Sequence, residues 1–391
     1  MAVEEGKGIG PAGGEHVDVA VVGGGPTGLF AALCAADAGW RTALVAPELT
    51  HDPRTTALLM PAVAHLTRLG VWQDIEEEAA PLVTMRIVDA TDRLPRAPEI
   101  AFDAHEAGLD QFGFNVPNTV LNAALAARAD AAGLVRVNGT ARGVAPGRPA
   151  RISTDGAELA ADFVVAADGA DSVVRGDAGF GLRRWAYDQA AFVTTLSHER
   201  PHGDTSTEFH TSGGPFTLVP LPGDRSSLVW VGRPDEAARW AAMDPGPLAR
   251  EIEHRAHKIL GKMRVDGPRG TFPLEGLVAR QFGRDNVVLV GEAGHRFPPI
   301  GAQGLNLGMR DVETLHTLLS GARDSGSLNG VAEAYDTRRR LDVNVRSVGV
   351  DLLNRSLLSE FMPVAGLRAL AVAAVRNVRP LRRAMMRAGL G

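Results

Sequence analysis

The chain has 391 residues, of which 45% are hydrophobic and 22% are charged, and its formal net charge at pH 7 is −5. Such a composition is typical of a globular enzyme, and a mildly acidic balance gives no reason to expect nucleic acid as a partner. The single cysteine, Cys34, excludes an intramolecular disulfide and a cysteine-clustered metal site and fits a reducing cytoplasm, and no other cluster of ligand residues suggests zinc or iron.

The two ends of the chain differ from its middle. Residues 1–16 are rich in glycine and lack an apolar core, which predicts a mobile tail and neither a secretory signal nor an anchor. No run of about 18 apolar residues occurs, so no ordinary spanning helix is predicted. Residues 361–391 carry +6 with no acid, whereas the preceding residues sum to −11. This basic segment fits either a helix lying on an anionic membrane or a helix packed on the protein with a solvated basic face.

The first structured stretch is predicted to be a strand, a glycine turn and a helix. Val17 to Val22 is apolar, and a helical run extends from Leu29 to Ala38. Between them, Gly23, Gly25 and Gly28 form a G-x-G-x-x-G motif. In this context the first glycine permits a tight turn, the second the approach of a pyrophosphate, and the third close helix packing, which predicts a dinucleotide site.

The second strand, Arg41 to Val45, is expected to end in an acid that binds the adenosine ribose. Ala46 occupies that position, and Glu48 is either a substitute for the acid or a solvated loop side chain. Loss of a charge-assisted hydrogen bond worth about 1.5 to 3 kcal/mol would loosen the dinucleotide tenfold or more. The sequence therefore predicts weaker cofactor retention.

Residues 51–69 are predicted to form the next helix, which stops at Gly70. Two roles are open for Arg54, near the start of this helix. It contacts a phosphate or the flavin, because a guanidinium group bonds anionic oxygens through two nitrogens, or it is a surface residue. The following stretches read as strands at Val83 to Ala90 and Glu99 to Asp103, a helix at Pro117 to Ala132 and a hairpin region at Val135 to Leu159.

A second glycine turn is predicted after the buried strand that starts at Phe163. The strand ends at Asp168 and Gly169, and Ser172 and Arg175 follow at helical spacing. Asp168 can accept a hydrogen bond, Gly169 lets the backbone approach a cofactor, and Arg175 either holds the turn or meets a phosphate.

The middle of the chain has the pattern of an antiparallel sheet. His198, His202 and His210 lie in or near it, but their spacing does not give their direction, and no residue is assigned as a general base. The predicted strands are Ala190 to Leu196, Thr205 to His210, Phe216 to Pro220 and Ser226 to Val231, followed by a helix at Pro245 to Leu260 and a return strand at Gly270 to Phe272.

A third glycine-rich loop joins a strand at Val287 to Val290 with a helix that starts near Leu305. The unpaired N–H groups of such a helix N-terminus stabilise a phosphate or the electron-rich edge of a reduced flavin. Gly291 and Glu292 open the loop. His295 is interpreted as fixing the loop by a hydrogen bond.

These three motifs, in this order, resemble the single-component FAD-dependent aromatic hydroxylases, the flavoprotein monooxygenases of the para-hydroxybenzoate hydroxylase type. The similarity covers roughly Asp18 to Leu390, and finer features look like the ubiquinone-biosynthesis branch of that family. Those features are Arg54 to Leu58, Tyr187 to Ala191, Gly214 to Phe216, Val219 to Pro222 and Gln303 to Asp311.

The resemblance implies FAD as the cofactor and NAD(P)H as its reductant. The Asp168 motif would contact FAD and guide the nicotinamide, and Glu292, one methylene longer than the family's aspartate, would hold the ribityl chain. Pro299 and the turn at 302–304 would sit at the isoalloxazine, with His295 near it and no residue assigned as catalytic. The implied cofactor contacts are Gly23, Gly25, Gly28, Arg54, Asp168, Gly169, Arg175, Gly291, Glu292, Pro299, Ala302, Gln303, Gly304 and Asn306.

The fold implied is α/β, of the glutathione-reductase-like FAD type. A Rossmann-like FAD-binding domain is interleaved with a mainly antiparallel β-sheet substrate domain, which roofs the substrate over the flavin, and C-terminal helices follow. The expected divisions are a tail at 1–16, FAD-binding segments at 17–80, 108–184 and 275–330, substrate segments at 81–107 and 185–274, and C-terminal helices at 331–391.

The reaction implied is hydroxylation of a polyprenylated phenol in ubiquinone biosynthesis. NAD(P)H would reduce the flavin, O2 would give the C4a-hydroperoxide, and the distal oxygen would pass to the ring in a water-excluding pocket. A prenylated substrate implies a cytoplasmic protein held at the inner face of the membrane by its basic C-terminal helices. The resemblance also allows assembly with a quinone-synthesis complex or as a homo-oligomer.

Two alternatives stay open at this point. One is a flavin hydroxylase, reductase or halogenase of the same fold that acts on a soluble aromatic. The other is a weakly catalytic flavin-binding scaffold of a quinone-synthesis complex, suggested by Ala46.

Overall fold

A computed structural model describes residues 15–48, 52–91, 98–298 and 303–358 of the chain. The strands are β1 (Glu15–Val22), β2 (Thr42–Ala46), β3 (Thr55–Leu59), β4 (Ala80–Leu82), β5 (Thr84–Asp89), β6 (Ile100–Asp103), β7 (Gly113–Pro117), β8 (Val135–Asn138), β9 (Ala141–Ala145), β10 (Ala150–Thr154), β11 (Glu158–Ala166), β12 (Leu182–His198), β13 (Thr205–Thr211), β14 (Gly214–Leu221), β15 (Arg225–Gly232), β16 (Met263–Val265), β17 (Gly270–Ala279), β18 (Gly283–Arg284), β19 (Val287–Leu289) and β20 (His295–Arg296). The helices are α1 (Pro26–Asp37), α2 (Met60–Arg68), α3 (Asn118–Ala131), α4 (Val173–Asp177), α5 (Pro234–Ala242), α6 (Pro245–Arg255), α7 (Gln303–Ser325) and α8 (Val331–Leu358).

The first sheet is mostly parallel and joins segments that are far apart in the sequence. Its strand order is β18-β19-β11-β1-β2-β8, and β10 and β9 extend it as an antiparallel hairpin beside β11. In β1, Val19 lies opposite Phe163 of β11 on one side and Thr42 of β2 on the other. The central strands are almost continuously apolar because helices cover the sheet, with α1 packed against α3 and α7.

The second sheet is mainly antiparallel, with the order β20-β17-β12-β15-β14-β13-β5-β6 and with β16 beside β12. One face packs against α5 and α6 over buried aromatic rings. Trp230 and Trp240 stack with centroids 3.7 Å apart, and Phe216 meets Trp230 edge to face at 5.4 Å. Since successive residues of a strand point to opposite faces, the alternate residues turn toward the first sheet.

A small sheet of β3, β7 and β4 ties the two larger sheets together. The Thr55 hydroxyl on β3 donates to the hydroxyl of Ser227 on β15 over 2.9 Å. The amide of Asn115 on β7 donates to the carbonyl of Pro220 on β14 over 2.8 Å. These bonds hold the second sheet against β3 and β7 of the small sheet.

The α/β architecture with a second antiparallel sheet, predicted from the sequence, is confirmed. Several elements differ in extent. β1 starts at Glu15, inside the expected tail, and α5 was not predicted. β12 starts at Leu182 and β17 runs to Ala279, both longer than predicted, because these two strands pair with each other along the added residues.

The prediction of a helix across residues 51–69 is wrong in its first half. β3 occupies Thr55–Leu59, and α2 begins only at Met60. β3 forms because it pairs with Gly113–Pro117, a distant partner that a local pattern does not contain. Pro61 marks the start of the helix, since proline is favoured in a first turn and would break the interior of a longer helix.

At the C-terminal side, α8 covers Val331–Leu358, and it begins at the residue where the C-terminal helices were predicted to start. The basic segment at 361–391 lies outside the described residues. Within the described ranges, none of the helices combines the length and apolarity needed to cross a membrane.

Candidate functional site

A cavity of 470 Å³ lies between the two large sheets. One wall comes from the three glycine turns and the first residues of α1 and α7. The other wall is the inner face of the second sheet. The lining residues include Gly25, Thr27, Gly28, Arg54, Gly169, Gly291, Glu292 and Gly304 on the first side, and Val193, Ser206, Glu208, Thr217, Val219, Ser227, Val229 and Phe272 on the second.

The first glycine turn is built so that only its middle glycine faces open space. A Cβ atom on Gly23, whose φ is +119°, would lie 2.2 Å from the carbonyl oxygen of Ala167. A Cβ on Gly28 would lie 2.0 Å from the carbonyl oxygen of Gly23. A Cβ on Gly25 would meet no atom of the described residues within 4 Å. Gly23 and Gly28 therefore hold the turn, and Gly25 leaves room for a ligand.

This open space lies at the N-terminus of α1, where Gly25 is the N-cap and Pro26 the first helical residue. Among the described residues, no side chain caps the first turn. Its N–H groups are thus available to an anion, which is the donor set that a pyrophosphate requires. The turn fits the dinucleotide predicted from the sequence.

The last residue of β2 is Ala46, where the sequence pattern leads one to expect an acid. Ala46 is 6% exposed, and a Cβ built on Gly24 would lie 2.7 Å from its methyl group. Glu48, two residues later, is exposed. The ribose is therefore either bound without an acid or bound by Glu48 of the loop after β2.

The second glycine turn is held by its own polar residues. The carboxylate of Asp168 accepts hydrogen bonds from the Ser172 hydroxyl at 2.5 Å and the Val174 amide at 3.2 Å, and burial raises the pKa of Asp168. The buried guanidinium of Arg175 donates to the carbonyls of Ala170 and Ala293. Arg175 was predicted either to hold the turn or to meet a phosphate, and its hydrogen bonds are those of a residue that holds the turn. Gly169 is the residue of this motif that lines the cavity.

Glu292 lines the cavity in the third turn, with its side chain 50% exposed and its carboxylate 3.7 Å from Nε of Arg296. The helix N-terminus after the loop also reaches the cavity, through Gly304 and Leu305. Pro299 and Ala302 lie outside the described residues, and Gln303 is the first residue of α7.

Asn306 ties α7 to β3 with both ends of its amide. Its oxygen accepts from the Leu59 amide at 2.9 Å, and its nitrogen donates to the Ala57 carbonyl at 2.7 Å. The structure thus gives Asn306 a bracing role behind the cavity wall, and its contact with a cofactor stays a prediction.

Behind the third turn, a buried ionic cluster connects four elements. Asp311 of α7 is fully buried and accepts hydrogen bonds from the Gly291 amide at 2.9 Å, from His295 at 2.6 Å and from Arg339 of α8 at 2.7 Å. Arg339 also bonds Asp342 at 2.6 Å. This cluster fixes the position of Gly291. His295 was predicted from the sequence to anchor the loop, whereas Arg339 was not predicted, because no sequence motif marks it.

Arg54 lines the cavity, but its fork is already engaged. It bonds the carboxylate of Asp52 through Nε at 2.8 Å and an end nitrogen at 2.7 Å, and its guanidinium lies 5.1 Å from the ring centre of Phe272. Asp52 also accepts from Asn118 at 2.8 Å. Burial opposes ionisation of Asp52, but these hydrogen bonds outweigh it and lower its pKa. Arg54 therefore presents an oriented cation to the cavity.

The sheet wall is mixed in character. Val193, Val229 and Val219 supply apolar surface, and Ser206, Glu208, Thr217 and Ser227 supply polar groups. A few polar groups in an otherwise apolar pocket suit an aromatic ring that must be oriented.

The three histidines whose direction the sequence left open now have partners. His198 bonds the Ser226 hydroxyl and the Arg200 carbonyl, and burial lowers its pKa. His202 bonds the carbonyls of Leu221 and Gly223, whereas His210 bonds the carboxylate of Glu208 at 2.7 Å. Within the described residues, no group of three or more His, Cys, Asp or Glu side chains is placed to hold a metal ion.

Comparison with known proteins gives relatives along nearly the whole chain. A family model described as an FAD binding domain matches residues 16–345. Ubiquinone hydroxylase UbiL of Rhodospirillum rubrum is 33% identical, with 96% of this chain and 89% of the relative aligned. The 3-demethoxyubiquinol 3-hydroxylase of Escherichia coli is 30% identical, with 96% and 99% aligned. The mitochondrial ubiquinone biosynthesis monooxygenase COQ6 of Mus musculus is 27% identical, with 94% and 90% aligned.

Solved structures share the fold. The p-nitrophenol 4-monooxygenase PnpA of Pseudomonas putida superimposes with a TM-score of 0.79 at 22% identity, covering 96% of this chain and 98% of that one. The flavin-dependent monooxygenase PieE, solved with FAD and substrate, gives a TM-score of 0.71 at 20% identity, covering 96% and 71%. At these identities the likeness concerns the fold alone.

Proposed function

The chain belongs to the FAD binding domain family of flavin monooxygenases, and from this premise we propose that it hydroxylates the ring of a polyprenylated phenol intermediate in ubiquinone biosynthesis. The observation that carries the proposal is one continuous cavity that is lined both by the glycine turns and by the inner face of the second sheet. Such a cavity lets a cofactor bound at the turns meet a ring held against the sheet. The full-length similarity to ubiquinone hydroxylases supports this substrate class.

FAD is the cofactor, with NAD(P)H as the reductant, and when bound it supplies the redox chemistry that moves one oxygen atom of O2 to the substrate. The chain's own residues bind and orient it. The open turn at Gly25 would receive the pyrophosphate of FAD, and Glu292 would bind its ribityl chain. The N–H groups in the first turn of α7, at Gly304, would stabilise the flavin ring.

The second sheet holds the substrate and excludes water. Val193, Val219 and Val229 provide an apolar bed for an aromatic ring, and Phe272 closes the wall next to Arg54. Water exclusion is needed because an activated oxygen exposed to solvent decays to hydrogen peroxide instead of reaching the ring. The polar groups on the same face set the orientation of the ring.

The test of this function is mass spectrometry of the lipid quinone pool in cells that lack the protein. We expect accumulation of a prenylated phenol short of one oxygen, and its mass and fragmentation identify the substrate and the ring position together. Expression of the wild-type chain should restore the pool. An unchanged pool in the deletion strain contradicts the proposal.

The polar residues on the sheet wall, Ser206 and Thr217 among them, favour one second candidate, a flavin hydroxylase for a small soluble aromatic. Small phenols carry no tail and gain affinity mainly from such polar contacts. NADH oxidation by the purified protein distinguishes the two. Stimulation by small phenols together with indifference to prenylated ones favours the second candidate.

We infer that a prenylated substrate brings the protein to the inner face of the cytoplasmic membrane, with the basic segment at 361–391 as the contact. The support is the charge of +6 in that segment, which suits anionic lipid. Assembly with other quinone-synthesis proteins, or with a second copy, stays a prediction.

Replacing Ala46 by glutamate is expected to tighten FAD binding about tenfold or more, because the new carboxylate gains a charge-assisted hydrogen bond of about 1.5 to 3 kcal/mol with the ribose. FAD affinity is measured by titration of the apoprotein. Glu48→Gln is the matched variant. If Glu48 already binds the ribose, Glu48→Gln lowers FAD affinity and Ala46→Glu raises it little. Unchanged FAD affinity in both variants contradicts the idea that either position governs FAD retention.

A further inference from the structure

Among the described residues, three carboxylates line the cavity, and two of them lie within ion-pair distance of an arginine. Glu275 receives two hydrogen bonds from Arg184, at 2.9 and 2.7 Å. Glu292 lies 3.7 Å from Arg296. The third, Glu208, forms no ion pair with a lysine or arginine among the described residues. Its partner is His210, whose Nε2 is 2.7 Å from one carboxylate oxygen. Glu208 is thus the cavity carboxylate that is not committed to a permanent cation.

The strand register directs the side chain of Glu208 into the cavity. Glu208 on β13 lies opposite Thr217 on β14, which lies opposite Val229 on β15, which lies opposite Val193 on β12. All four line the cavity. The next residue on β13, Phe209, points the other way into the aromatic core. The carboxylate therefore belongs to the row of side chains that lines the cavity.

The hydrogen bonds that Glu208 already makes leave its carboxylate able to accept one more hydrogen bond. One oxygen is bonded by His210, and the other has only a long contact of 3.4 Å from the Thr217 hydroxyl. A carboxylate has about four lone-pair sites, so acceptor capacity remains on the cavity side. The side chain is 19% exposed, and burying a carboxylate without a cation is costly unless hydrogen bonds satisfy it. A phenolic O–H is the kind of donor that fits this place.

We propose that Glu208 is a catalytic residue that accepts the phenolic proton of the substrate, with His210 orienting it. The inference rests on the proposed function. The phenol O–H bond breaks, its electron pair stays on the phenol oxygen, and the proton bonds to a carboxylate oxygen of Glu208, so no electrons are exchanged in this step. The ring of the resulting phenolate is more electron-rich than the ring of the phenol, so it accepts the transferred oxygen atom more readily. His210, 17% exposed, connects the carboxylate with solvent for release of the proton.

The test compares wild-type holoenzyme with Glu208→Gln, which keeps the shape and removes the base. With 2-geranylphenol in detergent micelles, hydroxylated product and hydrogen peroxide are measured per NADH consumed. We expect hydroxylation by Glu208→Gln to fall about a hundredfold. FAD content should be unchanged, and the NADH that is still oxidised should yield hydrogen peroxide. Glu208→Asp retains a carboxylate and should recover part of the rate.

The matched control is Glu251→Gln on α6, which packs on the opposite face of the second sheet and whose side chain is 39% exposed. It should behave as wild type. Equal rate and coupling in wild type and Glu208→Gln overturn the role of Glu208 while the proposed function stands. Failure of Glu208→Asp to exceed Glu208→Gln also overturns it, since the carboxylate is then not what matters. If wild type leaves 2-geranylphenol unreacted, the proposed function and this inference fall together.

Discussion

Replacing Asp311 by alanine is expected to lower the free energy of unfolding by about 3–5 kcal/mol, because the change leaves the buried cation of Arg339 without its partner. Asp311 is fully buried and accepts hydrogen bonds from Arg339, His295 and the Gly291 amide. Denaturant unfolding monitored by circular dichroism measures the loss. FAD affinity should fall as well, since the Gly291 turn loses its anchor.

The same cluster predicts a pH dependence. Burial raises the pKa of Asp311, but the charges of His295 and Arg339 and the hydrogen bonds outweigh it, so the folded pKa lies below the ordinary value. A carboxylate with a lowered folded pKa contributes stability that is present above its unfolded pKa of about 3.9 and is lost as the pH falls through the folded value. Wild type should therefore lose stability steeply below about pH 4, and Asp311→Asn less steeply.

The control for both measurements is Asp155→Asn. Asp155 pairs with Arg142 at the surface, and both side chains are more than half exposed, so solvent screens the pair. Its unfolding midpoint should match that of wild type. If the unfolding midpoint of Asp311→Ala also matches that of wild type, the cluster contributes little to stability. If stability falls equally steeply with acid in wild type and in Asp311→Asn, the cluster does not cause the pH dependence.

Alanine at Gly28 and alanine at Gly25 should damage the protein in different ways, although the two residues belong to one motif. At Gly28 the added Cβ would lie 2.0 Å from the backbone oxygen of Gly23, which cannot move away cheaply. Gly28→Ala should therefore destabilise the apoprotein by about 2–3 kcal/mol. At Gly25 the Cβ meets no described atom within 4 Å, so the apoprotein should remain as stable as wild type.

The FAD affinity of Gly25→Ala should nevertheless fall tenfold or more, about 1.4 kcal/mol, because the methyl group occupies the space left for the pyrophosphate. Thermal unfolding of the two apoproteins and FAD titration of each separate these effects. Wild-type FAD affinity in a folded Gly25→Ala variant would place the pyrophosphate elsewhere. Equal stability of the Gly28→Ala apoprotein and wild type would contradict the packing role of Gly28.

Local sequence was sufficient for the parts of the site that are built from consecutive residues. The turn at Gly23 to Gly28 and the turn at Gly169 were predicted because a strand, a glycine turn and a helix N-terminus are short-range features with a fixed geometry. The strand residues and turn signals between Thr205 and Val231 likewise predicted antiparallel strands where β13, β14 and β15 lie, but not which way their side chains point.

Contacts between distant segments were decided only by the tertiary structure. β3 was predicted as a helix because its partner, β7, starts at Gly113, and nothing in the residues of β3 indicates that pairing. The sequence contains Glu208 and His210, but only the register of β13 and the lining of the cavity show that the Glu208 carboxylate faces it. Only the side-chain contacts show that the other two cavity carboxylates, Glu275 and Glu292, lie beside arginines.

The ionic cluster shows the same division most clearly. His295, Asp311 and Arg339 are separated by 16 and 28 residues, yet they bond within 2.7 Å. The sequence by itself determined the three glycine motifs and the dinucleotide class of the cofactor, because these depend on residue types at fixed spacings along the chain. Which charged side chains meet, and whether a glycine faces backbone or open space, depends on how whole elements pack, and that is set by the burial of surfaces that come from every part of the chain.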